Sequence, residues 1–210
     1  GPRRLVYTNA EFMAEPRYLI REYPLQQGAL EIGYIEEYFN EFPTRKSAAD
    51  IVSRLSDRDY QVLMAEAPLP DDASTVVPVS YKVSHELRED ETDPQLVDLV
   101  ARLQDVVVFE GRKILYNWLG ATRLDWRGRG HFRALTEEQE VWAVTHGYDE
   151  VVVKTKNRYY DMRATLDRLE FNVIKLEIAA DPLESKVYMS KRLGPFVLDA
   201  HRSARSVTRG

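Results

Sequence analysis

Residues 112–135 read RKILYNWLGATRLDWRGRGHFRAL: a strand-forming run, a turn bearing Gly128 and Gly130, and the opening of a helix. The first part, 112–124, predicts a long strand. The turn spans 125–130, and a helix runs from it to about His146, where Gly147 supplies a C-terminal cap. A strand that feeds a glycine turn and then a helix is the backbone of a mixed α/β domain, and the rest of the chain is ordered outward from it.

Downstream, Glu150 to Lys154 (EVVVK) is a short, uninterrupted apolar run, the kind expected of a strand covered on both faces. A helix from about Tyr159 to Leu169 sets Met162, Leu166 and Leu169 on one side, and strands follow near 171–179 and 186–192. Upstream, residues 17–23 (RYLIREY) predict a first strand. Ile32, Ile35, Tyr38, Phe39 and Phe42 make a helical stripe over 30–42, stopped by Pro43. Ser47, with Asp50 three residues on, opens a second short helix whose stripe is Ile51, Val52 and Leu55. Strands are expected at 60–67 and 76–87, the latter with Pro78 marking an edge or bulge. The acidic run 88–93 (REDETD) reads as a solvated loop, and Leu96, Leu99, Val100 and Leu103 predict a helix over 94–103. The order β-α-α-β-β-(α)-β-α-β-α-β-β gives a mostly antiparallel sheet with a parallel crossover at its centre.

With 210 residues, 44% of them hydrophobic, the chain suffices for one domain with a real core, expected over 3–193. An extension over 194–210 carries Arg202, Arg205 and Arg209, and its end is expected to be disordered. Gly1-Pro2 reads as the scar of protease cleavage and is left out of the fold. The absence of cysteine excludes disulfides, thiolate metal sites and a cysteine nucleophile, and it fits a reducing compartment, so a cytoplasmic location is expected. No signal-peptide or membrane-spanning pattern is present, so no membrane partner is expected. A net charge of −5 argues against a broad nucleic-acid surface. No His, Asp and Glu set has metal-ligand spacing, so no metal is expected.

The turn carries the chemistry. A helix N-terminus offers unpaired backbone N–H groups and the positive end of a dipole, and both suit phosphate oxygens. Glycines let the backbone approach an anion closely, and Arg127, Arg129 and Arg133 add charge that phosphate favours. The alternative is an ordinary tight turn with a solvated basic rim. His131 inside the turn is a phosphate neighbour rather than a catalyst. Elsewhere, Tyr116, Trp118 and Gly120 share one strand face by period two, as core or as substrate wall. His85 and Glu86 are either a base pair at a cleft rim or exposed strand-end polarity.

The stretch from Tyr116 to Phe171 resembles the GNAT superfamily of acyl-coenzyme A N-acyltransferases. In that family a strand feeds an (Arg/Gln)-x-x-Gly-x-(Gly/Ala) turn, then a helix, a short strand, an asparagine and a helix ending in Gly-Phe. Arg127 and Gly130 match the turn, 131–157 matches the helix, strand and Asn157, and KVYMSKRL near 186–193 resembles the closing strand. The resemblance implies a V-shaped splay between the central strands 112–124 and 150–154, flanked by helices. It implies acetyl-CoA or another acyl-CoA as co-substrate, held by Ala121, Thr122, Arg123 and Leu124 along the strand end. Arg127, Gly128, Arg129, Gly130, His131, Phe132 and Arg133 of the turn, with Asn157, complete the set. An amine acceptor would attack the thioester directly.

Departures accompany the match. Phe132 stands where the family has glycine or alanine, and its benzyl group either crowds the pyrophosphate or points into the core. Glu170 replaces the glycine before Phe171, and Leu166 replaces a tyrosine acid, leaving Tyr159 or Tyr160 as substitutes. Tyr116 stands where a carboxylate is often found. The candidate catalytic set is Tyr116 and Tyr160 from these positions, with Glu86 from the strand end at 85–86. The expected partner is a small-molecule amine, with tRNA as donor in a second version, a non-catalytic cofactor-binding module as a third, and a homodimer left open.

Overall fold

The computed structural model describes residues 4–7, 18–25, 33, 47–69 and 71–201. The described elements are β1 (Arg4–Tyr7), β2 (Tyr18–Glu22), α1 (Ala48–Leu55), β3 (Tyr60–Pro68), β4 (Val76–Leu87), α2 (Pro94–Leu103) and β5 (Ile114–Thr122). They continue with α3 (His131–Thr145), β6 (Glu150–Lys156), α4 (Tyr160–Arg168), β7 (Asn172–Glu177), β8 (Lys186–Arg192) and a terminal helix α5 over 195–201. Among the described residues, hydrogen-bonded neighbours follow the order β1-β2-β3-β4-β5-β6-β8-β7. β5 and β6 pair in parallel, whereas β1 with β2, β2 with β3, β6 with β8 and β7 with β8 are antiparallel. The sheet is mixed and mostly antiparallel, as the sequence predicts. The stripe expected over 30–42 and the tail beyond 201 lie outside the described residues.

The chain divides into two compact units, Gly1–Ser84 with Leu119–Gln139, and His85–Trp118 with Glu140–Gly210. In the first unit, Ser47 Oγ caps α1 by accepting from the Asp50 N–H at 3.1 Å, and Ile51 and Leu55 are buried beneath it. β3 is buried along residues 61–67, Gln61 and Glu66 included. Its Leu63 and Ala65 join Tyr18, Ile20 and Val79 in a core closed by Ala134 and Leu135 of α3. β1 is not predicted, because RLVY is too short to show a period of its own.

In the second unit, Asp93 caps α2 by accepting from the N–H groups of Gln95 and Leu96, with Pro94 in the first turn. Leu96, Leu99, Val100 and Leu103 face the core, as predicted, against Ile114, Tyr116, Val152 and Tyr188. Arg102 of α2 donates to Glu177 of β7 at 2.6 Å, and Tyr188 of β8 donates to the same carboxylate at 2.6 Å. The parallel ladder pairs Ile114–Asn117 with Glu150–Val153 and ends there, while β5 runs on to Thr122 and β6 to Lys156. Some boundaries differ from expectation. β5 stops at Thr122 because 124–126 turn as a 3-10 helix. The tail does not leave the fold at Gly194: α5 buries Val197, and His201 Nε2 lies 3.2 Å from Glu140.

Candidate functional site

The turn lies wholly in the first unit. After Thr122 the Arg123 N–H donates to the Val79 carbonyl at 2.8 Å, fixing the end of β5. The 3-10 turn Leu124–Trp126 follows, then Arg127 in extended conformation. Gly128 and Gly130 have φ of 78° and 79°, a region that side chains other than glycine rarely enter. A Cβ added at either glycine would meet nothing within 4 Å, so the space beside both is open. The Ala134 N–H donates to the Gly130 carbonyl at 3.0 Å. Helix geometry therefore leaves the N–H groups of residues 131–133 without carbonyl partners inside α3. Arg127 Nε donates to the Thr122 carbonyl at 3.1 Å, the Arg129 guanidinium lies 4.7 Å from the Trp126 ring centre, and Arg133 Nε donates to Glu137 at 2.9 Å. These contacts orient the three guanidinium groups around the turn.

Beneath the turn the structure shows a polar layer. His131 is 2% exposed, its Nδ1 lies 2.9 Å from Ser80 Oγ, and its ring is 4.0 Å from that of Tyr18. Burial, with the nearby Arg129 charge, pushes its pKa down to about 4, so the imidazole is neutral at neutral pH. It is a buried prop under the helix start rather than a cationic phosphate neighbour. Lys82, also buried, donates to Thr136 Oγ1 at 2.7 Å, and its ammonium lies 4.6 Å from the centre of the Phe132 ring. The half-buried Phe132 ring is therefore turned onto Lys82 of β4. Ser80 and Lys82 were not singled out from the sequence. Their signal was the polar alternation Ser80, Lys82, Ser84 in β4, which period two places on one face.

In the second unit, Asn157 Nδ2 donates to the Pro182 carbonyl at 3.1 Å and its Oδ1 accepts from Arg163. Both ends of that amide tie the end of β6 to neighbouring backbone and to α4. Tyr160 is 61% exposed. Tyr116 is buried in the core cluster of α2, which favours the core alternative, and Trp118 packs partly against the same cluster. His85 is buried too, with its ring centre 5.6 Å from those of both Tyr116 and Trp118 and its Nδ1 2.8 Å from the Glu86 carbonyl. Exposed strand-end polarity fits the half-buried Glu86 but not His85, which aromatic packing covers. Among the described residues no group of three or more His, Asp or Glu could hold a metal ion, and no helix is long and apolar enough to cross a membrane.

The architecture is similar to that of solved acetyltransferases. NAA60 of Arabidopsis thaliana in complex with acetyl-CoA superposes with a TM-score of 0.62 at 11% identity, covering 83% of this chain and 98% of that one. The ribosomal-protein-S18-alanine N-acetyltransferase of Escherichia coli gives 0.56 at 14% identity, over 84% of this chain and 94% of that one. A GNAT superfamily phosphinothricin acetyltransferase of Sinorhizobium meliloti, in complex with AcCoA, gives 0.56 at 15%, over 83% and 88%. The fold is that of the GNAT superfamily. No protein-family model matches the sequence, and no curated protein matches it at sequence level.

The departures from the GNAT pattern take physical form. Glu170 has φ 70°, the left-handed position that the family's glycine would fill. Around it the Phe171 N–H donates to the Leu166 carbonyl and the Glu170 N–H to that of Asp167, both at 2.9 Å, which closes α4 in a Schellman motif. Leu166 and Phe171, the two residues that the first of these bonds joins, are both buried. α3 closes in the same way, with Gly147 at φ 78° and the Tyr148 N–H donating to the Ala143 carbonyl at 3.0 Å.

Proposed function

We propose that this chain is an N-acyltransferase that moves an acetyl or other acyl group from acyl-CoA to an amine acceptor. The observation that carries the proposal is the turn: two glycines at positive φ with open space beside them, set before the free N–H groups of α3. These residues fit a pyrophosphate. The N–H groups of 131–133 would donate to its oxygens, and Arg127, Arg129 and Arg133 would neutralise its charge. Backbone groups of Ala121, Thr122, Arg123 and Leu124 would line the pantetheine arm, one N–H serving as oxyanion donor. When bound, acyl-CoA supplies an acyl group activated as a thioester. Phe132 is compatible with this role because its ring is turned onto Lys82.

The acceptor amine must lose a proton before or during attack. Glu86, half-buried, is the carboxylate we propose for that work, and the exposed Tyr160 is the proposed proton source for the leaving thiolate. Tyr116 is not carried into this role, because it belongs to the core. Calorimetric titration with acetyl-CoA tests the proposal. Saturable binding that is lost in Gly130→Val supports it, and no binding by the intact chain overturns it. A non-catalytic CoA-binding module is the second version, favoured by the buried Leu166 where the family carries a tyrosine acid. Release of free CoA with an amine panel would exclude that version; binding without release would select it.

A further inference from the structure

The second unit holds a cavity of about 380 Å³ at the start of β6 and the end of β8, near Glu150 and Arg192. That volume is within the range of roughly 300–1,000 Å³ typical of small-ligand sites. Asn157 lies at the other end of β6, about 20 Å along the strand. Two of the lining cations are already engaged. Arg112 donates to Glu150 and to the Val108 carbonyl, both at 2.8 Å, and Lys191 is ion-paired with the buried Glu140. Four other polar side chains lining the cavity, Glu170, Asn172, Ser190 and Arg192, have no side-chain hydrogen bond or ion pair among the described residues. The apolar part of the wall is Val106, Val108, Ile174 and Phe196, and Val108 and Phe196 are 62% and 57% exposed.

Glu170 is the unusual member. It occupies the left-handed cap of α4 at φ 70°, where glycine is relieved of strain and glutamate is not. A strained residue at a cavity, its exposed carboxylate without a partner among the described residues, points to a ligand. We infer that this cavity binds a small α-amino acid with an apolar side chain. Its ammonium is received by Glu170, its carboxylate by Arg192, and its side chain by Ile174 and Phe196. A simple amine leaves Arg192 unpaired, and a simple acid leaves Glu170 unpaired. A molecule carrying both charges pairs with the two exposed groups at once.

Calorimetric titration of the full chain with L-phenylalanine, phenethylamine and 3-phenylpropanoate tests the inference. L-Phenylalanine is expected to bind, with each single-charge analogue weaker by roughly tenfold or more, the worth of one charge-assisted hydrogen bond. Glu170→Gln and Arg192→Gln should weaken L-phenylalanine by a similar factor while leaving acetyl-CoA titration unchanged. Glu170→Gly gives the decisive signature: its Tm rises, because strain is relieved, while the shift of Tm on adding L-phenylalanine disappears. No heat from 10 mM L-phenylalanine, or a Glu170→Gly variant that binds it as the intact chain does, overturns the inference. Either result leaves the acyltransferase proposal standing, since that rests on a different set of residues.

Discussion

Burial, aided by the Arg129 charge, lowers the pKa of the His131 imidazole from 6.5 to about 4. The unfolded chain binds a proton near 6.5 and the folded chain does not until about 4, so stability is complete above the unfolded value and falls with pH between the two. The expected loss is about 2 kcal/mol between pH 7.5 and pH 5. Urea unfolding at the two pH values should show it, and His131→Gln should flatten the difference; an unchanged difference would show that other groups carry it. Glu170 makes the opposite kind of case. Because its left-handed φ strains any side chain, Glu170→Gly should raise unfolding free energy by about 1 kcal/mol. A neutral or destabilising result would mean that the glutamate makes a compensating contact. Neither state was legible in the sequence. A histidine after a glycine turn reads as solvent-facing until Ser80, Tyr18 and Trp126 are seen to enclose it. Glu170 registered only as a departure from a pattern, and its φ gave that departure a meaning.

Elements with local signals were read well from the sequence. α2 has Asp93 as cap, Pro94 in the first turn and a single apolar face, and it forms where those signals place it. The strand, turn and helix over 114–145 were legible for the same reason, since Gly128, Gly130 and Gly147 punctuate them. Elements whose signals are non-local were missed. β1 has four residues and is recognised only by its antiparallel partner β2. α5 was read as a tail because its anchors are Val197 and a histidine whose acceptor, Glu140, lies 61 residues away in sequence. The polar face of β4 was missed because Ser80 and Lys82 look exposed until α3 supplies their partners. The cap of α3 gives a clean prediction at this scale. A methyl group at Gly147 meets no neighbour within 4 Å, so Gly147→Ala acts through φ alone. It should cost about 1 kcal/mol in a urea titration, with the m-value unchanged. A cost near zero would show that the cap relaxes.

At the scale of the molecule, the fold was legible, and an acceptor for the proposed transfer was not. The order of strands and helices follows from hydrophobic periods and turn residues, whereas substrate choice depends on side chains that no spacing announces. The terminal helix shows how far a few buried contacts reach. Ending the chain after Leu193 removes Val197 and leaves Glu140 with Lys191 as partner, so the unfolding free energy should fall by about 2–3 kcal/mol. A truncated chain as stable as the intact one would make α5 an ornament of the fold. The turn over 127–133 is proposed to hold the pyrophosphate of an acyl-CoA, and calorimetric titration of the intact chain with acetyl-CoA decides whether it does. One saturable site is expected, weakened by roughly tenfold in Arg129→Ala and abolished in Gly130→Val. Absence of binding by the intact chain, or undiminished binding by Gly130→Val, would contradict it.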